Sequence, residues 1–166
     1  MHKPLFNGAC TAMVTPFLDG KINFPMMQIL LKRQIEANIP AVVIAGTTGE
    51  GATLTDGEKI KLYRYSKEIL GEKAIMIAGT GSNCTAHSIA LSIAAENAGA
   101  DAVLIVSPYF NKATPRGLIA HYTAISKAIH IPIILYNVPT RTGIDMPVDV
   151  YAELSKVSNI IGVKEA

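Results

Sequence analysis

An α/β fold built on a parallel sheet is what this sequence predicts, on three observations. Six short apolar runs recur along the chain at roughly thirty-residue intervals, the spacing of a strand plus its crossover helix. Helix start and stop signals fall between those runs. The turns that follow the runs are rich in glycine, threonine and asparagine, whereas the turns that precede them are plain.

The runs are Ala9–Val14, Ala41–Ala45, Ala74–Ala78, Ala102–Val106, Ile133–Tyr136 and Ile160–Val163. They are apolar throughout rather than alternating, as expected of strands buried on both faces. Between them, Thr55-Asp56-Gly57-Glu58 is a capping-box pattern and Thr114-Pro115 sets an N-cap before an N1 proline, while Gly71 and Gly99 read as C-terminal stops. Strict alternation of strand and helix implies right-handed crossovers and a parallel sheet.

Two architectures fit, a (β/α)8 TIM barrel and an open doubly wound sheet. The chemically rich turns are Thr15-Pro16-Phe17, Gly46 to Gly51, Gly79 to Asn83, Ser107 to Asn111 and Tyr136 to Gly143. All follow strands, and plain segments such as Asn38-Ile39-Pro40 and His130-Ile131-Pro132 precede them. A barrel concentrates its site on one face in this way, whereas an open sheet concentrates ligand contacts at one switch point. The barrel is favoured. Six strands fall short of eight, and 166 residues fall short of the usual barrel of about 250. The expectation is one catalytic domain over 1–166 holding the first six strands, with the C-terminal barrel units absent from it.

Composition narrows the function. Hydrophobic residues make up 49% of the chain and mean hydropathy is +0.31, which suits a heavily buried core and excludes disorder. A net charge of +2 without any basic run points to neither nucleic acid nor an anionic membrane surface. Cys10 and Cys84 form no CxxC pair, and His2, His87, His121 and His130 show no metal-ligand spacing, so reduced thiols and no metal are expected. No run reaches the length of a membrane span and the N-terminus has no long apolar leader segment, so the expected location is the cytoplasm.

Lys164 ends the last apolar run, Ile160-Ile161-Gly162-Val163. An amine at an apolar strand end is a candidate nucleophile toward carbonyl carbon, because desolvation favours its neutral form. The ordinary alternative is a lysine that snorkels to solvent. Gly46-Thr47-Thr48-Gly49-Glu50-Gly51 lacks the Lys-Ser/Thr of a phosphate loop. It retains hydroxyls and backbone N–H groups suited to a carboxylate, or simply forms a tight turn. Gly79-Thr80-Gly81 lacks the third glycine of a dinucleotide fingerprint and reads as structural. Tyr136 ends its strand and could relay protons, and Arg141, in a turn bounded by Pro139 and Gly143, could grip a carboxylate bidentately. Either could equally be an ordinary surface residue. In a barrel, all these groups would converge over one mouth.

Gly46-Thr47-Thr48-Gly49-Glu50, Tyr136-Asn137-Val138-Pro139-Thr140-Arg141-Thr142-Gly143 and Gly162-Val163-Lys164-Glu165-Ala166 together resemble, in order and spacing, the signature segments of the dihydrodipicolinate synthase family. That family belongs to the pyruvate-dependent class I aldolase and N-acetylneuraminate lyase superfamily. The resemblance implies that Lys164 forms an imine with pyruvate, that Tyr136 passes protons to and from it, and that Thr47 links Tyr136 to a second tyrosine. It implies that Thr48, with Gly46, holds the pyruvate carboxylate and that Arg141 holds the carboxylate of L-aspartate 4-semialdehyde. The reaction so implied condenses these two substrates in lysine (diaminopimelate) biosynthesis, with no metal or organic cofactor, in a homo-oligomer, dimer or tetramer. One position departs from the pattern: the second relay tyrosine, contributed across a dimer interface, matches Phe110, which has no hydroxyl to pass a proton, and Tyr109 matches the aromatic residue before it. A related aldolase acting on 2-keto-3-deoxy sugar acids or N-acetylneuraminate is the alternative enzyme. An inactive fragment or regulatory partner of a full-length enzyme is the alternative of another class.

Overall fold

The computed structural model describes residues 4–166; Met1, His2 and Lys3 lie outside it. In chain order the elements are β1 (Cys10–Ala12), β2 (Phe17–Leu18), β3 (Lys21–Ile22), α1 (Phe24–Glu36), β4 (Ala41–Ile44), α2 (Asp56–Leu70) and β5 (Ile75–Gly79). There follow α3 (Thr85–Asn97), β6 (Ala102–Val106), α4 (Pro115–Ser126), β7 (Ile133–Asn137), α5 (Pro139–Thr142), α6 (Val148–Leu154) and β8 (Ile160–Glu165). Six strands pair in the order β1-β4-β5-β6-β7-β8, every pair parallel. Neighbours in the sheet are thus successive units of the chain, the order a barrel requires and a doubly wound sheet does not have. The molecule is an arc of a TIM barrel with β1 and β8 at its two edges.

Side chains leave the strands alternately. Val42 and Ile44 of β4, Val103 and Ile105 of β6 and Leu135 of β7 pack outward with Met27, Leu31, Leu62 and Tyr122 of the helices. Ala41 and Val43, Ile77, Ala102 and Leu104, and Tyr136 form a second, inner cluster on the concave side. The concave side also holds a cavity of about 490 Å³ lined by Leu5, Phe6, Cys10, Ala12, Leu104, Ile134 and Lys164 among others.

The predicted helix signals act as read. Thr55 caps α2 in a full capping box with Glu58, and Thr114 caps α4 by accepting from the Gly117 N–H at 3.2 Å. Gly71 (φ 54°) and Gly99 (φ 88°) take the left-handed conformations that release the chain after α2 and α3. Two details differ from the sequence reading. The Thr15-Pro16-Phe17 turn continues into a small antiparallel hairpin, β2 with β3, closed by Asp19-Gly20, both at positive φ. The segment from Pro139 to Gly143 is one helical turn, α5, with Gly143 (φ 69°) as its left-handed cap.

Candidate active site

The C-terminal ends of β4 to β7 open onto a second cavity of about 470 Å³. Gly46, Thr47 and Glu50 line it after β4, Gly81 and Ser82 after β5, Tyr109 after β6, and Tyr136, Val138, Arg141 and Thr142 from β7 and α5. Five of the eight residues singled out in the sequence therefore meet here: Gly46, Thr47, Tyr109, Tyr136 and Arg141. Lys164 joins them from β8, with Nζ 3.4 Å above the centre of the Tyr136 ring. Tyr136 and Lys164 are register partners of adjacent strands, which places one at the other's side by backbone pairing alone. Thr48 is exposed on its loop and is not among the lining residues, and Phe110 stands 88% exposed with its ring edge-on to Tyr109.

The loop after β4 is shaped by close backbone packing. Ala45 has φ 53°, and its carbonyl lies so near Gly51 and Gly79 that a Cβ there would come within 2.1 and 2.5 Å of the oxygen. Neither glycine can be replaced without moving the loop, so Gly79 is structural, as its motif suggested. Gly81 is held likewise against the Val106 N–H. Within the loop, the N–H groups of Glu50 and Gly51 donate to Thr47 and Gly46, but those of Thr47, Thr48 and Gly49 have no backbone acceptor among the described residues. Three adjacent unspent amides with two hydroxyls suit a carboxylate.

Electrostatics single out Tyr136. Burial pushes its phenol up, but the nearby Lys164 and Thr47 side chains, together with the charges of Lys164 and Arg141, outweigh burial and hold it below its ordinary value. Nζ lies over the ring, so the amine touches the π face while it also acts on the phenol. By contrast, burial pushes Tyr63 and Tyr122 well up, and both donate to backbone carbonyls, of Gly79 and Ile105. Among the buried tyrosines of the described residues, Tyr136 alone has its phenol held below the ordinary value.

Sequence reading missed the residues behind this pair. Asn137 follows Tyr136 and is 2% exposed; its Nδ2 donates to Asp145 at 2.9 Å and to Glu165 at 3.0 Å. Tyr151 donates to the other oxygen of Glu165 at 2.5 Å. A polar residue inside an otherwise apolar strand end was the available signal. At the outer end of the mouth, His87 Nε2 lies 2.9 Å from Asp56, beside Lys59, whose amine burial pushes down and Asp56 partly restores.

The model of the dihydrodipicolinate synthetase family matches residues 5–166. The chain belongs to that family. It is 46% identical over 164 residues to the 4-hydroxy-tetrahydrodipicolinate synthase of Thermoanaerobacter sp. (strain X514), covering 98% of this chain and 55% of the relative. It is 48% identical over 163 residues to that of Fervidobacterium nodosum, with 98% and 56% coverage. The 4-hydroxy-tetrahydrodipicolinate synthase of Methylacidiphilum fumariolicum SolV superposes with a TM-score of 0.94 at 44% identity, over 97% of this chain and 54% of that one. The dihydrodipicolinate synthase of Acinetobacter baumannii, solved with pyruvate, superposes with a TM-score of 0.94 at 42% identity, over 96% and 55%. The chain thus spans about half the length of the family members it matches. The family is one of enzymes. Among the described residues no helix is long and apolar enough to cross a membrane.

Proposed function

We propose that this chain supplies the imine-forming part of a 4-hydroxy-tetrahydrodipicolinate synthase site, in a barrel whose β1 and β8 edges are covered by further units. The observation that carries the reading is Lys164 Nζ set 3.4 Å over Tyr136 at the mouth. Lys164 attacks the keto carbon of pyruvate; the carbinolamine loses water and becomes an imine. Tyr136, its phenol held below the ordinary value, supplies and recovers the protons of these steps. The unspent amides after β4, with Thr47 and Thr48, receive the pyruvate carboxylate. Loss of a methyl proton then gives an enamine, which attacks the aldehyde of L-aspartate 4-semialdehyde while Arg141 at the rim holds that substrate's carboxylate. The new amine displaces Lys164 by transimination, closing the ring. No step calls on a metal or organic cofactor.

Phe110 cannot continue a hydroxyl chain, so Tyr136 and Thr47 work with water or with Tyr109, which lines the same mouth. On the family resemblance we further propose a homo-oligomer in the cytoplasm. Assay of the intact protein with pyruvate and L-aspartate 4-semialdehyde, against 2-keto-3-deoxy sugar acids and N-acetylneuraminate, tests the reading: turnover with the semialdehyde alone supports it, and turnover only with a sugar acid replaces it with the sister aldolase. Failure to form any pyruvate imine would favour an inactive fragment or a regulatory partner.

A further inference from the structure

Lys164 faces the concave side only because β8 contains an irregularity. Along β7 and β8 the partners run Ile133 with Ile160, then Ile134 with Gly162, Leu135 with Val163, Tyr136 with Lys164 and Asn137 with Glu165. Ile161 is therefore an extra residue, a bulge. Without it, Asn137 would partner Lys164, and the lysine would turn to the helix side, because a one-residue slip exchanges the two faces. The strand's own apolar pattern specifies the bulged register weakly: past the bulge come Gly162, with no side chain, and Val163, 44% exposed.

What specifies it is polar and lies on the outer face. Asn137 and Glu165, partners directly behind Tyr136 and Lys164, share a hydrogen bond of 3.0 Å. Every polar atom of the Asn137 side chain is used, since Nδ2 also donates to Asp145 at 2.9 Å and Oδ1 accepts from the Met146 N–H at 3.3 Å. Tyr151 of α6 fastens the second oxygen of Glu165. Its phenol is pushed up by burial and by the Glu165 and Asp145 carboxylates, so it remains a donor. In the slipped register this buried amide would face Lys164 instead of a carboxylate, and Nδ2 would keep only its bond to Asp145.

We propose that Asn137, Glu165 and Tyr151 form a register lock on the outer face of β7 and β8 that delivers Lys164 to Tyr136, making Asn137 and Glu165 positioning residues for the amine. The proposal rests on Lys164 as the imine-forming lysine, and its test separates the two ideas. In the intact protein with Cys10 and Cys84 replaced by serine, the pair Leu135→Cys with Val163→Cys reports the bulged register. Leu135→Cys with Gly162→Cys reports the slipped one; a Cβ at Gly162 meets nothing within 4 Å. Each pair is combined with Glu165→Ala, which removes the acceptor, and with Glu165→Gln, which keeps one.

The expected result is a disulfide only in the bulged pair when Glu165 is present, appearance of the slipped disulfide with Glu165→Ala, and return to the bulged pair with Glu165→Gln. Trapping of the pyruvate imine by borohydride, measured without the reporter cysteines, should fall about tenfold in Glu165→Ala and be largely recovered in Glu165→Gln, the scale of one net hydrogen bond. Bulged pairing alone in Glu165→Ala, with undiminished trapping, would overturn the lock. If the parent protein forms no imine at all, the proposed function fails while the disulfide pattern still decides the lock.

Discussion

At the N-terminal ends of the strands, polar side chains are consumed in tying one unit of the chain to the next. Asp101, just before β6, accepts from Lys67 of α2 at 2.8 Å on each oxygen and from the Met76 N–H of β5 at 2.8 Å. Glu96 of α3 accepts from the N–H groups of His130 and Ile131 before β7, and Asn159, before β8, donates to the carbonyls of Ser126, at the end of α4, and Ile129, in the turn after it. At the C-terminal ends, Arg141 enters none of the ion pairs among the described residues, and three loop amides after β4 have no backbone acceptor. Polar groups satisfied within the protein hold the fold; polar groups left over at the mouth are available to a substrate. The division lets one set change with little effect on the other.

Mutations at the two ends should therefore separate activity from stability. The largest effect is expected at the mouth: Tyr136→Phe should lower turnover of the intact protein by about 10²–10⁴-fold, the usual worth of general acid–base help, with no change in melting temperature. A drop in melting temperature equal to that of a core mutation would erase the distinction. Next, Arg141→Ala should raise the KM for the semialdehyde by about ten- to a hundredfold while leaving pyruvate affinity unchanged, the scale of a hydrogen bond to a charged group. Equal weakening of both substrates would place Arg141 elsewhere in the mechanism.

At the opposite end, Asp101→Ala strands the buried Met76 N–H and should cost about 1–3 kcal/mol, a few degrees in Tm for each kcal/mol, with kcat and KM of the folded protein unchanged. The smallest effect concerns pH. His121 is buried between α3 and α4, with Nδ1 2.9 Å from Thr85 Oγ1 and Nε2 without a partner among the described residues, and burial pushes it below 6.5. The unfolded chain then takes up a proton near pH 6.5 that the folded one still refuses, so stability falls as pH drops below 6.5 and levels off below the folded value. Denaturant midpoints measured over that range should slope in the native protein and lose part of that slope in His121→Leu.

How much of this was legible in the sequence follows from the range of each interaction. The strands and helices were readable because their signals are local: unbroken apolar runs, the Thr55 and Thr114 caps, and Gly71 and Gly99 at positive φ. The asymmetry of the loops pointed to the mouth, and Tyr136, Thr47, Arg141 and Gly46 line it. The bulge at Ile161 was not readable, since it is defined only by pairing with β7. Nor was the role of Asn137, whose partners lie 8 and 28 residues away along the chain. The constraint on Gly51 and Gly79 was equally hidden, because it comes from the carbonyl of Ala45 and no periodicity records a close approach of backbone to backbone.

In the proposed function the amine over Tyr136 is the one that meets pyruvate. Treating the intact protein with pyruvate and borohydride, then mapping the reduced adduct by peptide mass spectrometry, tests it directly. A single pyruvate-derived label on Lys164 is expected, absent from Lys164→Arg, whose guanidinium stays protonated and cannot attack. A label on Lys59 or Lys112 instead, or an adduct that persists in Lys164→Arg, would contradict it.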